Sequence, residues 1–126
     1  MPNILVVDDS MTVRKILVTL FKKVHESDFH VEEAENGTKA LIRLKKGPVD
    51  LLVTDFEMPE VDGLTLVKLV KQMPLVSHKP IFVVSAMSNA KKVEFEEAGV
   101  QRVFFKPLDE NRFVEAIREV FPQYRR

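Results

Sequence analysis

Leu51-Leu52-Val53-Thr54-Asp55-Phe56-Glu57-Met58-Pro59 is a short apolar run that carries one carboxylate at its end and is then stopped by a proline. About four apolar or β-branched residues in a row read as a strand buried on both faces of a parallel sheet. An acid closing such a strand lies at its carboxyl end, where open α/β sheets place their ligands. Three other runs end in reactive side chains. Ile4-Leu5-Val6-Val7 leads into Asp8 and Asp9, Ile81-Phe82-Val83-Val84 into Ser85, and Val103-Phe104-Phe105 into Lys106 and Pro107. Three acids, a hydroxyl and an amine on neighbouring strand ends describe a site.

On either side of this stretch, the hydrophobic period alternates between strand and helix along the whole chain. Residues 3–8 read as the first strand, and Val13, Ile16, Leu17, Leu20, Phe21 and Val24 then fall at helical spacing, with Ser10 or Thr12 as the cap. Arg14, Lys15, Lys22 and Lys23 are expected on the wet side of that helix. Residues 29–34 form the second strand, closed by the Asn36-Gly37 turn signal, and a short helix with Ala40, Leu41 and Leu44 runs to Gly47-Pro48. After the third strand, Asp62-Gly63 starts a helix bearing Leu64, Val67, Leu69 and Val70 and ended by Pro74. Residues 81–84 are the fourth strand, and 88–98 a helix stopped by Gly99. Val93 and Phe95 lie about 200° apart on that helix at ~100° per residue, so one is core and the other exposed. Residues 102–105 are the fifth strand, and Asp109 caps a last helix through Phe113, Ala116, Ile117, Val120 and Phe121 to Pro122, with 123–126 as a tail. Five βα units imply an α/β fold, a parallel sheet with right-handed crossovers and helices on both faces.

Composition limits what such a fold does here. Nineteen basic and nineteen acidic residues cancel in a chain of 126, which gives no reason to expect a nucleic-acid partner. The absence of cysteine excludes disulfides and thiolate metal sites, and the apolar runs fall short of the ~20 residues a membrane span needs. The chain enters a strand directly after Met1-Pro2, without the basic-then-apolar order of a signal peptide, so the cytoplasm is the expected compartment. The length suits one domain, residues 1–126, with no linker or internal repeat. His25, His30 and His78 show no ligand spacing.

The acids need compensation. Like charges a few ångströms apart raise each other's pKa, so three carboxylates sharing a pocket call for a positive partner. A hard divalent cation with oxygen ligands fits, and Mg2+ takes one or two protein carboxylates while also meeting a phosphoryl oxygen. A dication and Lys106 together cancel the three negative charges, which suits a pocket that receives a phosphoryl group on a carboxylate.

Together, Val6-Val7-Asp8-Asp9, Asn36-Gly37, Asp55-Phe56-Glu57-Met58-Pro59, Asp62-Gly63, Val84-Ser85-Ala86, Ala98-Gly99 and Lys106-Pro107 resemble the receiver domain of two-component response regulators, in its single-domain, CheY-like chemotaxis form. The resemblance covers nearly the whole chain. It implies a (βα)5 flavodoxin-like three-layer sandwich with strand order 2-1-3-4-5. It also implies Asp55 as acceptor of a phosphoryl group from a sensor histidine kinase, Asp8 and Asp9 as acids of a Mg2+ site, and Glu57 contributing a backbone carbonyl. Ser85 and Lys106 would meet the phosphoryl oxygens, and the Lys106-Pro107 bond would be cis. The implied output is a change in the surface of helix four, strand five and helix five, read by a flagellar motor or chemotaxis component, with a phosphatase or histidine phosphotransferase as further partners. One position departs from the pattern. The aromatic residue often found three places before the lysine is Val103 here, and Phe104 and Phe105 are not obvious substitutes. Glu57 and Met87 flank the implied phosphoryl position.

Two other functions would draw on similar chemistry. A phosphorelay intermediate passing its phosphoryl group to a histidine phosphotransferase would use the same site. An aspartyl-phosphate phosphatase would carry Asp-x-Asp on its first strand, where this chain has Asp8-Asp9, so a signalling module is preferred to an enzyme. The acidic first loop also disfavours a flavin phosphate, and no P-loop is present.

Overall fold

The computed structural model describes residues 1–86 and 92–125. The chain runs β1 (Asn3–Val7), α1 (Met11–Val24), β2 (His30–Ala34), α2 (Gly37–Lys46), β3 (Leu51–Asp55), α3 (Gly63–Val70), β4 (Ile81–Ser85), α4 (Lys92–Glu97), β5 (Arg102–Phe105) and α5 (Glu110–Val120), with a 3-10 turn at Pro122–Tyr124. The strands form one parallel sheet in the order β2-β1-β3-β4-β5. The expected fold is therefore present, and β3 is central and buried along its length. The Lys106-Pro107 bond is cis.

Strand alternation divides the core into two layers. Ile4, Val6, Leu51, Val53, Phe82, Val84 and Phe104 face α1 and α5, packing against Leu17, Leu20, Phe21, Phe113 and Ile117. Leu5, Val7, Leu52, Ile81 and Val83 face the other way, against Ala40 and Leu44 of α2, Leu66, Val67 and Val70 of α3, and Phe95 of α4. The question left by Val93 and Phe95 is settled: Phe95 is 1% exposed and Val93 is 59% exposed.

Local rules fix the helix starts. The side chains of Ser10, Asn36, Asp62 and Asp109 accept from the backbone N–H three residues on, satisfying donors that have no intrahelical partner. Ser10 rather than Thr12 thus caps α1, and Asn36 caps α2 as well as closing the turn. Gly99, with φ of 96°, ends α4 in a Schellman arrangement, with Val100 N–H donating to Phe95 O and Gly99 N–H to Glu96 O. The expected start of this helix at Ser88 lies outside the described residues.

Several expectations shift. β1 ends at Val7, leaving Asp8 in the following turn, while β4 extends to Ser85, which pairs with Phe105. β2 starts at His30, and Phe29 instead joins an aromatic group with Phe21, Phe121 and Tyr124. α3 ends at Val70, ahead of Pro74, because a residue before proline is disfavoured in helical geometry and residues 71–79 turn instead. Ile16 and Leu69 are partly exposed, each about 90–110° from the centre of its helix's buried stripe at ~100° per residue. The expected tail is docked as far as Tyr124, whose hydroxyl donates to Asp28 Oδ2 at 3.0 Å. No helix among the described residues is long and apolar enough to cross a membrane.

Candidate functional site

The parallel register brings the carboxyl ends of β1, β3, β4 and β5 to one edge of the sheet. Val7 lies beside Thr54, Asp55 beside Val84, and Ser85 beside Phe105. Residues that follow these positions in sequence are thereby gathered in space. Asp8, Asp9 and Asp55 each offer a carboxylate oxygen within 4.8 Å of the others. Lys106 reaches in from the end of β5, its Nζ 3.5 Å from Asp55 Oδ1 and 3.7 Å from Asp8 Oδ2. Ser85 is buried at the end of β4, and its carbonyl accepts from the Lys106 amide at 2.8 Å, tying the two strand ends together.

Asp8 is 1% exposed and Asp55 4%, while Asp9 stands at the open side. Burial of a carboxylate favours its neutral form, and a second carboxylate nearby adds to the effect. Asp55 is accordingly pushed up to about 6, first by burial and then by the charge of Asp8, against the pull of Lys106 and of the Phe56 and Glu57 amides. Asp8 is raised as well, chiefly by burial, although Oδ1 accepts from the Ser10 amide at 2.8 Å. Asp8 Oδ2 and Asp55 Oδ1, the two oxygens nearest the ammonium, have no hydrogen-bond donor.

Two buried acceptor atoms without donors, set among three acids, are what a hard cation with oxygen ligands satisfies. The donor set thus fits Mg2+ on chemistry and on its unfilled valences. Glu57 is exposed in the loop after β3. Met87, the other residue expected beside the site, lies outside the described residues.

The loop that carries Glu57 is tightly made. Val61 N–H donates to Pro59 O at 2.8 Å across Glu60, whose φ of 67° is that of a γ-turn rarely adopted by a residue with a side chain. Gly63 then brings the start of α3 against β3, where a Cβ would sit 2.4 Å from Asp55 O and 2.7 Å from Phe56 Cα. Asp62-Gly63 was legible as a helix start, but the reason for glycine is this close approach. Arg14 also departs from its expected place. Assigned to the solvent side of α1, its guanidinium turns back to the Asp8 carbonyl. Phe56, directly after Asp55, meets Phe95 of α4 edge to face, with ring centroids 5.3 Å apart.

Five parallel strands in this order, with acids and a lysine converging on their carboxyl ends, define a receiver-type signalling domain. The chain belongs to the response regulator receiver domain family, whose pattern matches residues 4–118. Among curated proteins it is 32% identical to chemotaxis protein CheY-3 of Vibrio cholerae serotype O1 over 120 residues, 94% of this chain and 91% of that one. It is 34% identical to chemotaxis protein CheY of Pseudomonas aeruginosa, over 94% of this chain and 95% of that one. Among solved structures, Vibrio cholerae chemotaxis protein CheY4 superposes with a TM-score of 0.84 at 26% identity, covering 96% of this chain and 99% of that one.

Proposed function

We propose that this chain is a receiver that accepts a phosphoryl group on Asp55 from the phosphohistidine of a sensor kinase. The observation that carries the reading is the pair of buried oxygens, Asp8 Oδ2 and Asp55 Oδ1, left without donors opposite the Lys106 ammonium. Asp8, Asp9, Asp55 and the Glu57 carbonyl would hold Mg2+, which when bound neutralises charge on the phosphoryl oxygens. A carboxylate oxygen of Asp55 attacks phosphorus, a P–O bond forms as the P–N bond to the donor imidazole breaks, and the imidazole leaves with the bond's electron pair. Lys106 offsets charge on one phosphoryl oxygen, and Ser85, at the end of the neighbouring strand, donates its hydroxyl to another. Acylphosphate formation puts a larger, more highly charged group at the end of β3, next to Phe56. Because Phe56 packs on Phe95, α4 is in direct contact with the residue after the acceptor, and the surface of α4, β5 and α5 is the one expected to change for a partner.

Val103 lies in the same layer as Phe95, so the switch proceeds without a large aromatic ring at that position of β5. The chemotaxis relatives support a motility or chemotaxis component as the reader. The test is labelling by acetyl phosphate and by a cognate kinase. Wild-type protein with Mg2+ incorporates label stoichiometrically, whereas Asp55→Asn incorporates none and Asp9→Ala loses Mg2+ affinity sharply. Full labelling of Asp55→Asn would remove the assignment.

A further inference from the structure

Arg14 stands one turn into α1, yet its side chain is only 12% exposed. Its guanidinium makes two directed bonds. Nη1 donates to the backbone carbonyl of Asp8 at 2.7 Å, and Nε donates to Glu33 Oε1 on β2 at 3.0 Å. Lys15 Nζ holds the other oxygen of Glu33 at 2.7 Å. The gripped carbonyl belongs to the peptide that joins Asp8 to Asp9. Around Asp8, the amide donates to Ala34 O at 3.1 Å, Oδ1 accepts from Ser10 N–H at 2.8 Å and the carbonyl accepts from Arg14, which leaves Oδ2 alone without a donor.

We propose that Arg14 is a positioning residue for the cation site, clamping the Asp8–Asp9 peptide to Glu33 so that both acids stay converged on Asp55. The proposal rests on reading the pocket as a cation-dependent phosphoryl acceptor. Before a cation enters, mutual repulsion drives the exposed Asp9 away from Asp8 and Asp55, and the turn between β1 and α1 is the segment able to yield. A charged donor on its central carbonyl, anchored in turn to the neighbouring strand, opposes that splaying. The planar fork of arginine can serve a carbonyl and a carboxylate together, which a lysine ammonium in the same place does poorly. Groups behind a metal's ligands commonly change metal affinity by about 10–100-fold when removed.

The sign of the effect separates the clamp from simple electrostatics. Arg14 is a cation near a cation site, so deleting its charge without any loss of geometry should tighten Mg2+ binding. The clamp requires the opposite. Titration calorimetry of the unphosphorylated chain with Mg2+ alone is expected to show affinity lower by about tenfold or more in Arg14→Ala and lower also in Arg14→Lys, which keeps the charge. Lys15→Ala, which removes a partner of Glu33 but no contact with Asp8, should stay within about twofold of wild type. Thermal unfolding in chelator checks that each variant is folded. Unchanged or tighter binding in folded Arg14→Ala, an unchanged Arg14→Lys, or equal losses in Arg14→Ala and Lys15→Ala would overturn the proposal. Failure of wild type itself to bind Mg2+ would instead remove the reading of the pocket on which it rests.

Discussion

Replacing the central acid by its amide should stabilise the cation-free protein even as it removes the proposed acceptor. Asp55 is raised from the usual 3.8 to about 6, with burial the larger cause and the Asp8 charge the second. Each pKa unit corresponds to about 1.4 kcal/mol, so holding Asp55 ionised in the fold costs about 3 kcal/mol. Asp55→Asn removes that cost, and Lys106 retains Asp8 as a partner at 3.7 Å. The pH dependence follows from which state binds the proton. Below about pH 4 the carboxyl is neutral in the folded and unfolded chains alike, and the wild type suffers no penalty. Between about 4 and 6 the unfolded chain ionises while the folded chain keeps its proton, so this group makes stability fall as pH rises. Above the folded value of about 6 the penalty is complete.

Urea denaturation followed by circular dichroism, in chelator, should therefore give Asp55→Asn an advantage of up to about 3 kcal/mol at pH 7.5, or roughly 10 °C in Tm for a domain of this size. The advantage should vanish near pH 4. Saturating Mg2+ should raise the wild type, by mass action on the folded state, more than it raises the variant. Equal midpoints for variant and wild type at pH 7.5, or an advantage that persists undiminished at pH 4, would refute the premise that the acids are buried against one another.

Gly63→Ala forces a methyl group into the Asp55 carbonyl and should destabilise by about 1–3 kcal/mol, read as a lower urea midpoint with unchanged slope. Phe95→Ala empties a buried site that holds Phe56 and should cost about 3–5 kcal/mol, whereas Val93→Ala on the exposed side of the same helix should stay within about 0.5 kcal/mol.

Most of the architecture was legible because strand runs in a parallel sheet are continuous and the punctuation between them is chemical. The Asp55 strand, the Asp109 cap and the Gly99 stop each follow from a local rule that packing did not override, whereas the choice of Ser10 over Thr12 as the α1 cap came from the structure. The convergence of Asp8, Asp9, Asp55 and Lys106 was legible for a different reason: parallel strands place every carboxyl end at the same edge, so chemistry at the ends is chemistry in one place. What escaped depends on reach and on distant pairing. Arg14 occupies a helical position that periodicity assigns to solvent, but its long side chain lets the guanidinium bond a carbonyl six residues earlier. Tyr124 meets Asp28 across 96 residues of sequence, a contact no local period encodes. On α4, Val93 and Phe95 are both apolar and lie on opposite sides of the helix, so either could be core until packing against Phe56 selects Phe95.

The docking of Tyr124 has an optical consequence. It is the sole tyrosine in a chain without tryptophan. It is seated against Asp28 and Phe29, just ahead of β2, whereas the acids gather beyond the opposite strand ends. A strand of five residues separates those poles by roughly 15 Å. Native ultraviolet emission therefore reports on the seating of the C-terminal turn rather than on the acidic edge, so a fluorescent probe of that edge has to be installed there, with Phe56→Trp the natural place.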